Sequence, residues 1–165
     1  MNSRDSATSV WREGLVTGLL GAGGVAVWFL GVDLLAGEPL RTPRVLGDAL
    51  LALIGASVPA WTSVAFYTVV HVAAFVAVGL VACKLVEISR RVPHVTVGLL
   101  LLFVVFEVGF HFVAMFLAGG DVIGILSWYQ IGAANLVASV LMGGYIWRHH
   151  PELKSEIQLA LDGRI

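Results

Sequence analysis

The chain has 165 residues, 58% of them hydrophobic and 13% charged, with a formal net charge of −1 and a mean hydropathy of +0.90. Soluble domains carry about a quarter charged residues, so this composition excludes an ordinary soluble domain and points to a polytopic membrane protein. A near-zero charge gives no bulk electrostatic basis for binding nucleic acid, and a lone cysteine, Cys83, excludes an internal disulfide.

Residues 1–12 read as a short polar tail ending at Trp11, an interfacial anchor. The first apolar run covers about 14–36. Its length is that of a spanning helix, longer than a signal-peptide core, and no small-x-small cleavage site follows it. Within it, Gly21-Ala22-Gly23-Gly24-Val25-Ala26 loosely matches a dinucleotide fingerprint, but that motif requires a preceding strand and none is plausible here. Gly14, Gly18, Ala22 and Ala26 recur every four residues instead and form a smooth face for another helix. That face leads on to Asp33, which places the acid on the packed side.

Two prolines bracket charge in the connection that follows (Pro39, Arg41, Pro43, Arg44), and residues 44–56 read as an interfacial helix too short to span. Pro59 ends that segment and Trp61 anchors it. The second span covers about 63–86, with Thr62 or Ser63 as N-cap, and carries His71. Lys84, Arg90, Arg91, Pro93 and His94 make a basic turn before the third span, 95–117. That third span holds Glu107 and His111, one helical turn apart and so on one face. After Gly119-Gly120-Asp121, the fourth span covers 124–147 with Gln130 and a second small-and-polar stripe, Asn135, Ser139 and Gly143. From Arg148 the tail reads as a short amphipathic helix, with His149 and His150 as membrane-edge polar residues.

The expected fold is therefore an all-α integral membrane protein. One domain, 1–165, forms a four-transmembrane-helix bundle, with an interfacial helix in the first outer loop and a C-terminal surface helix. No internal repeat is found, which argues against an inverted-repeat transporter. Eight basic residues (Arg4, Arg12, Lys84, Arg90, Arg91, Arg148, Lys154, Arg164) fall in the tails and the second connection, against Arg41 and Arg44 in the first. The positive-inside rule then puts both termini in the cytoplasm and the chain in the cytoplasmic (inner) membrane.

That threading places the intramembrane polar residues in one layer. Counting ~1.5 Å per residue, His71 lies roughly 12 Å below the outer edge, His111 roughly 9 Å, Glu107 roughly 15 Å, Asn135 roughly 12 Å and Asp33 about 5 Å. Ionisable groups at such depth are expensive and are candidates for function. The first reading is structural: the cluster holds helices together in an accessory subunit of a membrane assembly. Lipid surrounds that subunit, and homo- or hetero-oligomeric partners meet the Gly14/Gly18/Ala22/Ala26 and Asn135/Ser139/Gly143 faces. A second reading is redox. His71, Glu107 and His111 form a two-nitrogen, one-oxygen set for a metal ion, or His71 and His111 ligate a haem, with Asp33 or Asn135 in support. A third is a quinone or small-ligand pocket or a proton relay through the same residues. No nucleophile stands in a readable triad order, so an enzyme is not the favoured class.

Overall fold

The structure, a computed structural model, describes residues 3–89 and 128–150, with side chains placed from Val10 to Ile88 and from Tyr129 to His150. Among the described residues there are four helices and no strand: α1 (Ser3–Leu35), α2 (Arg41–Ala52), α3 (Ala60–Ser89) and α4 (Trp128–His149). Two of them, α1 over Val10–Leu35 and α3 over Ala60–Ile88, are long and apolar enough to cross a membrane. The expected third span, 95–117, and the C-terminal helix lie outside the described residues, as do residues 124–127 at the start of the fourth.

Helix α1 is longer than the sequence reading allowed. It begins at Ser3 rather than near Gly14, so residues 3–12 are helical and not a loose tail. No Gly or Pro interrupts residues 3–12. At its other end α1 closes in a Schellman motif. The Glu38 amide donates to the Asp33 carbonyl at 3.0 Å and the Gly37 amide to Leu34 at 3.1 Å. Gly37 sits at φ 76°, a left-handed conformation that glycine adopts without a steric penalty.

Helix α2 repeats the device: the Ala56 amide donates to Leu51 and the Gly55 amide to Ala52, each at 3.0 Å, with Gly55 at φ 68°. The interfacial segment expected over 44–56 is thus a helix shifted to Arg41–Ala52. It buries Thr42, Gly47 and Leu51 and leaves Arg41, Arg44 and Asp48 exposed, so it is amphipathic as predicted. The expected cap residues Thr62 and Ser63 lie inside α3, because Pro59 starts that helix by accepting from both of their amides. The Ser63 hydroxyl donates instead to the Asp48 carboxylate. A side chain at Gly47 would collide with the Ser63 carbonyl. Helix α2 therefore lies flat against the start of α3.

Helix α1 is the hub. Its buried residues Gly14, Thr17, Gly18, Gly21, Ala22 and Val25 recur at spacings of three and four, the pattern of one packed helix face. Two helices share that face. A Cβ at Gly14 would stand 2.7 Å from Leu80 Cα, and one at Gly18 2.5 Å from Val76 Cα, so α3 backbone occupies the space a side chain needs. Gly21 meets Met142, and Gly24 meets Val137 and Leu141, so α4 takes the neighbouring strip. Low numbers on α1 pair with high numbers on both partners, which makes α1 antiparallel to α3 and to α4. Helices α3 and α4 consequently run in the same direction. Between them, Phe75 packs on Val25, Ala134 and Ala138, and Ala82, Cys83 and Val86 pack on Ile146.

Candidate functional site

Of the five residues expected to form one polar layer, the described structure places three: Asp33, His71 and Asn135. Glu107 and His111 lie outside the described residues, as does His94. Among the described residues no three His, Cys, Asp or Glu side chains are grouped so as to hold a metal ion.

Asp33 is 3% exposed. Its carboxylate accepts two hydrogen bonds from the first turn of α2, from the Thr42 amide at 2.8 Å and the Thr42 hydroxyl at 2.7 Å. The first amides of a helix have no partner within it, and a carboxylate there also meets the positive end of the dipole. Asp33 thus caps α2 from the end of α1. The fold explains why α2 needs it: the residue before the helix, Leu40, offers no side-chain cap and sits at φ 65°.

His71 stands in the first half of α3. Its Nε2 lies 3.3 Å from the Ala22 carbonyl of α1. A carbonyl only accepts, so Nε2 carries the proton and donates. Nδ1 then accepts from the Tyr67 hydroxyl at 3.4 Å. The ring stacks on Tyr67, with centroids 5.4 Å apart, and tilts against Phe75 at 4.8 Å. Both nitrogens are therefore engaged by the chain itself, in a neutral tautomer. Ala22 allows this contact because its methyl leaves room for the imidazole to reach the α1 backbone.

Asn135 is half-buried on α4, and its carbonyl accepts from the Ser139 hydroxyl at 2.8 Å one turn later. Asp33 hydrogen-bonds the start of α2 and His71 the α1 backbone, and both line one cleft.

A cleft of about 420 Å³ opens between α1 and α3 beneath the start of α2. Its walls are mainly apolar (Leu19, Ala26, Leu30, Val64), and Asp33, Thr42, Tyr67 and His71 are among its polar side chains. Ligand pockets combine apolar walls with a few oriented polar groups in this way. Sequence reasoning singled out His71 but missed Tyr67. The signal was available in the four-residue spacing of Tyr67, His71 and Phe75, which puts three rings on one face of a helix.

The Gly14/Gly18/Ala22 face, expected to meet a partner, is covered by the chain's own α3. Ala26 leaves that face and is exposed, because a spacing of four drifts by about 40° per step on a helix of 3.6 residues per turn. At the far end of the bundle a contact not anticipated from sequence joins α4 to α1: His150 Nε2 lies 3.0 Å from the Glu13 carboxylate. Cys83 shares a 3.7 Å hydrogen bond with the Thr17 hydroxyl and is buried.

Comparison of the chain with protein-family models, with characterised proteins and with solved structures gives no match.

Proposed function

We propose that the chain is a small four-span membrane protein acting as an accessory or structural subunit of a membrane assembly, its intramembrane polar side chains serving to hold its helices together. The carrying observation is the saturation of His71: Ala22 and Tyr67 engage its two nitrogens, leaving no free donor for a metal or haem iron. Asp33 supports the same reading, since Thr42 satisfies it twice.

Chain direction supports the four-span reading: α3 and α4 are parallel, and the apolar sequence 98–117 has the roughly 20 residues that a spanning helix requires. Exposure supports a lipid surround. Only 28% of the apolar stretch of α1 and 22% of that of α3 are buried, and Val27 and Val69 are 70% and 69% exposed. Surfaces of this kind suit hydrocarbon and not water. Orientation follows from charge: Arg12, Lys84 and Arg148 gather at the end where α3 and α4 finish, and Arg41 and Arg44 at the other. The first end is cytoplasmic on the positive-inside rule, which puts both termini in the cytoplasm.

The assembly partner meets the outer ridge of α1. Gly23 and Gly31 stand about two helical turns apart on α1, and among the described residues a Cβ at either position meets nothing within 4 Å. Glycine weakens a helix by roughly 1 kcal/mol relative to alanine in water. A second helix can approach closely over them. The test is the size of the complex in mild detergent. Wild type migrates as an assembly, and Gly23→Leu releases the monomer at unchanged thermal stability. A wild-type monomer, or a Gly23→Leu variant that stays assembled, contradicts the proposal.

A second reading is favoured by the cleft beside Tyr67 and His71: an apolar ligand with a hydrogen-bonding head, of the quinone type, enters between α1 and α3. Saturable binding of a short-chain quinone to the purified protein, lost in His71→Ala, supports it. An unaltered response in that variant removes it.

A further inference from the structure

Among the described residues, the polar side chains lining the cleft between α1 and α3 are Asp33, Thr42, Tyr67, Thr68 and His71. Every polar hydrogen they carry is taken up by the chain itself. The Thr42 hydroxyl donates to the Asp33 carboxylate at 2.7 Å. The Thr68 hydroxyl donates to the Val64 carbonyl, one turn earlier on α3, also at 2.7 Å. His71 donates from Nε2 to the Ala22 carbonyl at 3.3 Å, which makes Nδ1 an acceptor. The Tyr67 hydroxyl must then donate to Nδ1, at 3.4 Å. The Asp33 carboxylate has no hydrogen to give.

What these groups still offer is lone pairs. A hydroxyl oxygen keeps its two lone pairs after donating its hydrogen. Among the described residues nothing donates to the Tyr67 oxygen, which is half-buried between the apolar walls. The oxygens of Thr42 and Thr68 are in the same condition. The cleft is therefore lined by acceptors and lacks free side-chain donors. Its volume of about 420 Å³ falls in the range of small-molecule pockets, about 300–1,000 Å³.

We infer that the cleft selects its ligand by the direction of a hydrogen bond. It takes an apolar molecule with a hydroxyl-bearing ring, of the hydroquinone class, and disfavours the corresponding quinone. The ligand hydroxyl donates to the Tyr67 oxygen. A quinone carbonyl in that place would set two acceptors against each other with no hydrogen between them. Turning the Tyr67 hydroxyl toward the carbonyl would strand Nδ1 of His71 instead. A site built to pair with a hydroxyl rejects the analogue lacking it, because buried polar groups are then left without partners. His71 acts here as a positioning residue, since it fixes the direction of the Tyr67 O–H bond. The inference rests on the reading of the cleft as a pocket for a quinone-type ligand.

The test measures binding of three short-chain ligands to the purified protein in mild detergent with oxygen excluded. They are a hydroquinone, its quinone and its dimethyl ether, which keeps the oxygens but cannot donate. The hydroquinone is expected to bind about tenfold more tightly than either of the others, the scale of one well-placed hydrogen bond. In Tyr67→Phe it is expected to fall to their level, while the affinities of the quinone and the ether stay within about twofold. Equal binding of all three to the wild type, or tighter binding of the quinone, overturns the selectivity and leaves the pocket standing. An undiminished preference in Tyr67→Phe overturns the assignment to Tyr67. No saturable binding of any of the three overturns the pocket reading as well. The wild-type comparison decides the selectivity even if Tyr67→Phe proves unstable.

Discussion

Asp33 and Thr42 show how a buried carboxylate ties two helices together. The pair joins the end of α1 to the start of α2 through two hydrogen bonds, both inside the structure. Removing one partner strands the other, which costs about 1–3 kcal/mol for a buried polar group. Asp33→Ala is therefore expected to lower stability by that amount, measured by thermal or denaturant unfolding in detergent. Thr42→Val produces a similar loss, and the double variant loses less than the sum. Additive losses would show that the two groups do not act together. The glycines divide in the same manner. A methyl at Gly18 would stand 2.5 Å from Val76 Cα, whereas one at Gly23 meets nothing. Gly18→Ala forces the backbones of α1 and α3 apart and is expected to cost about 1–3 kcal/mol; Gly23→Ala leaves the melting temperature within a degree or two of wild type, or above it.

At the scale of elements, α2 is held from both sides, by Asp33 at its start and by Ser63 against Asp48 further along. Its ion pairs, Arg41 with Glu38 and Arg44 with Asp48, are exposed and contribute little. Ser63→Ala removes the tie to α3 and leaves a buried gap. Hydrogen exchange is expected to quicken in Arg41–Ala52 while α1 and the remainder of α3 keep wild-type protection. Equal quickening throughout would mean that α2 is not a separately held unit. The sequence made the existence of α1, α2, α3 and α4 readable, because long apolar runs and a short amphipathic one have few alternatives. The boundaries were less readable. The start of α1 was missed since residues 3–12 lack an apolar pattern yet contain nothing that breaks a helix, and a helix already formed extends through such residues easily. The ends at Gly37 and Gly55 were there to be found: each glycine stands at the position that a Schellman motif requires.

At the scale of the molecule, depth counting gave heights along the helices but said nothing of side-chain direction. Rise per residue gives height along a helix, whereas the partner of a side chain depends on rotation about the axis. Asp33 hydrogen-bonds α2 and His71 the α1 backbone, while both line the same cleft. The glycine stripe was recognised and its neighbour was not, because a smooth face does not state whether the approaching helix is the chain's own. The described structure makes α1 a hub, with α3 and α4 on its packed face and Asp33 capping α2 from its end. On the proposed reading His71 is a packing residue. The absorbance spectrum of the purified protein, taken with its metal content and repeated for His71→Ala, tests that most directly. The account predicts no absorption beyond 300 nm, no stoichiometric metal, and a variant that differs only in stability. A Soret band or bound metal that disappears in His71→Ala would contradict it.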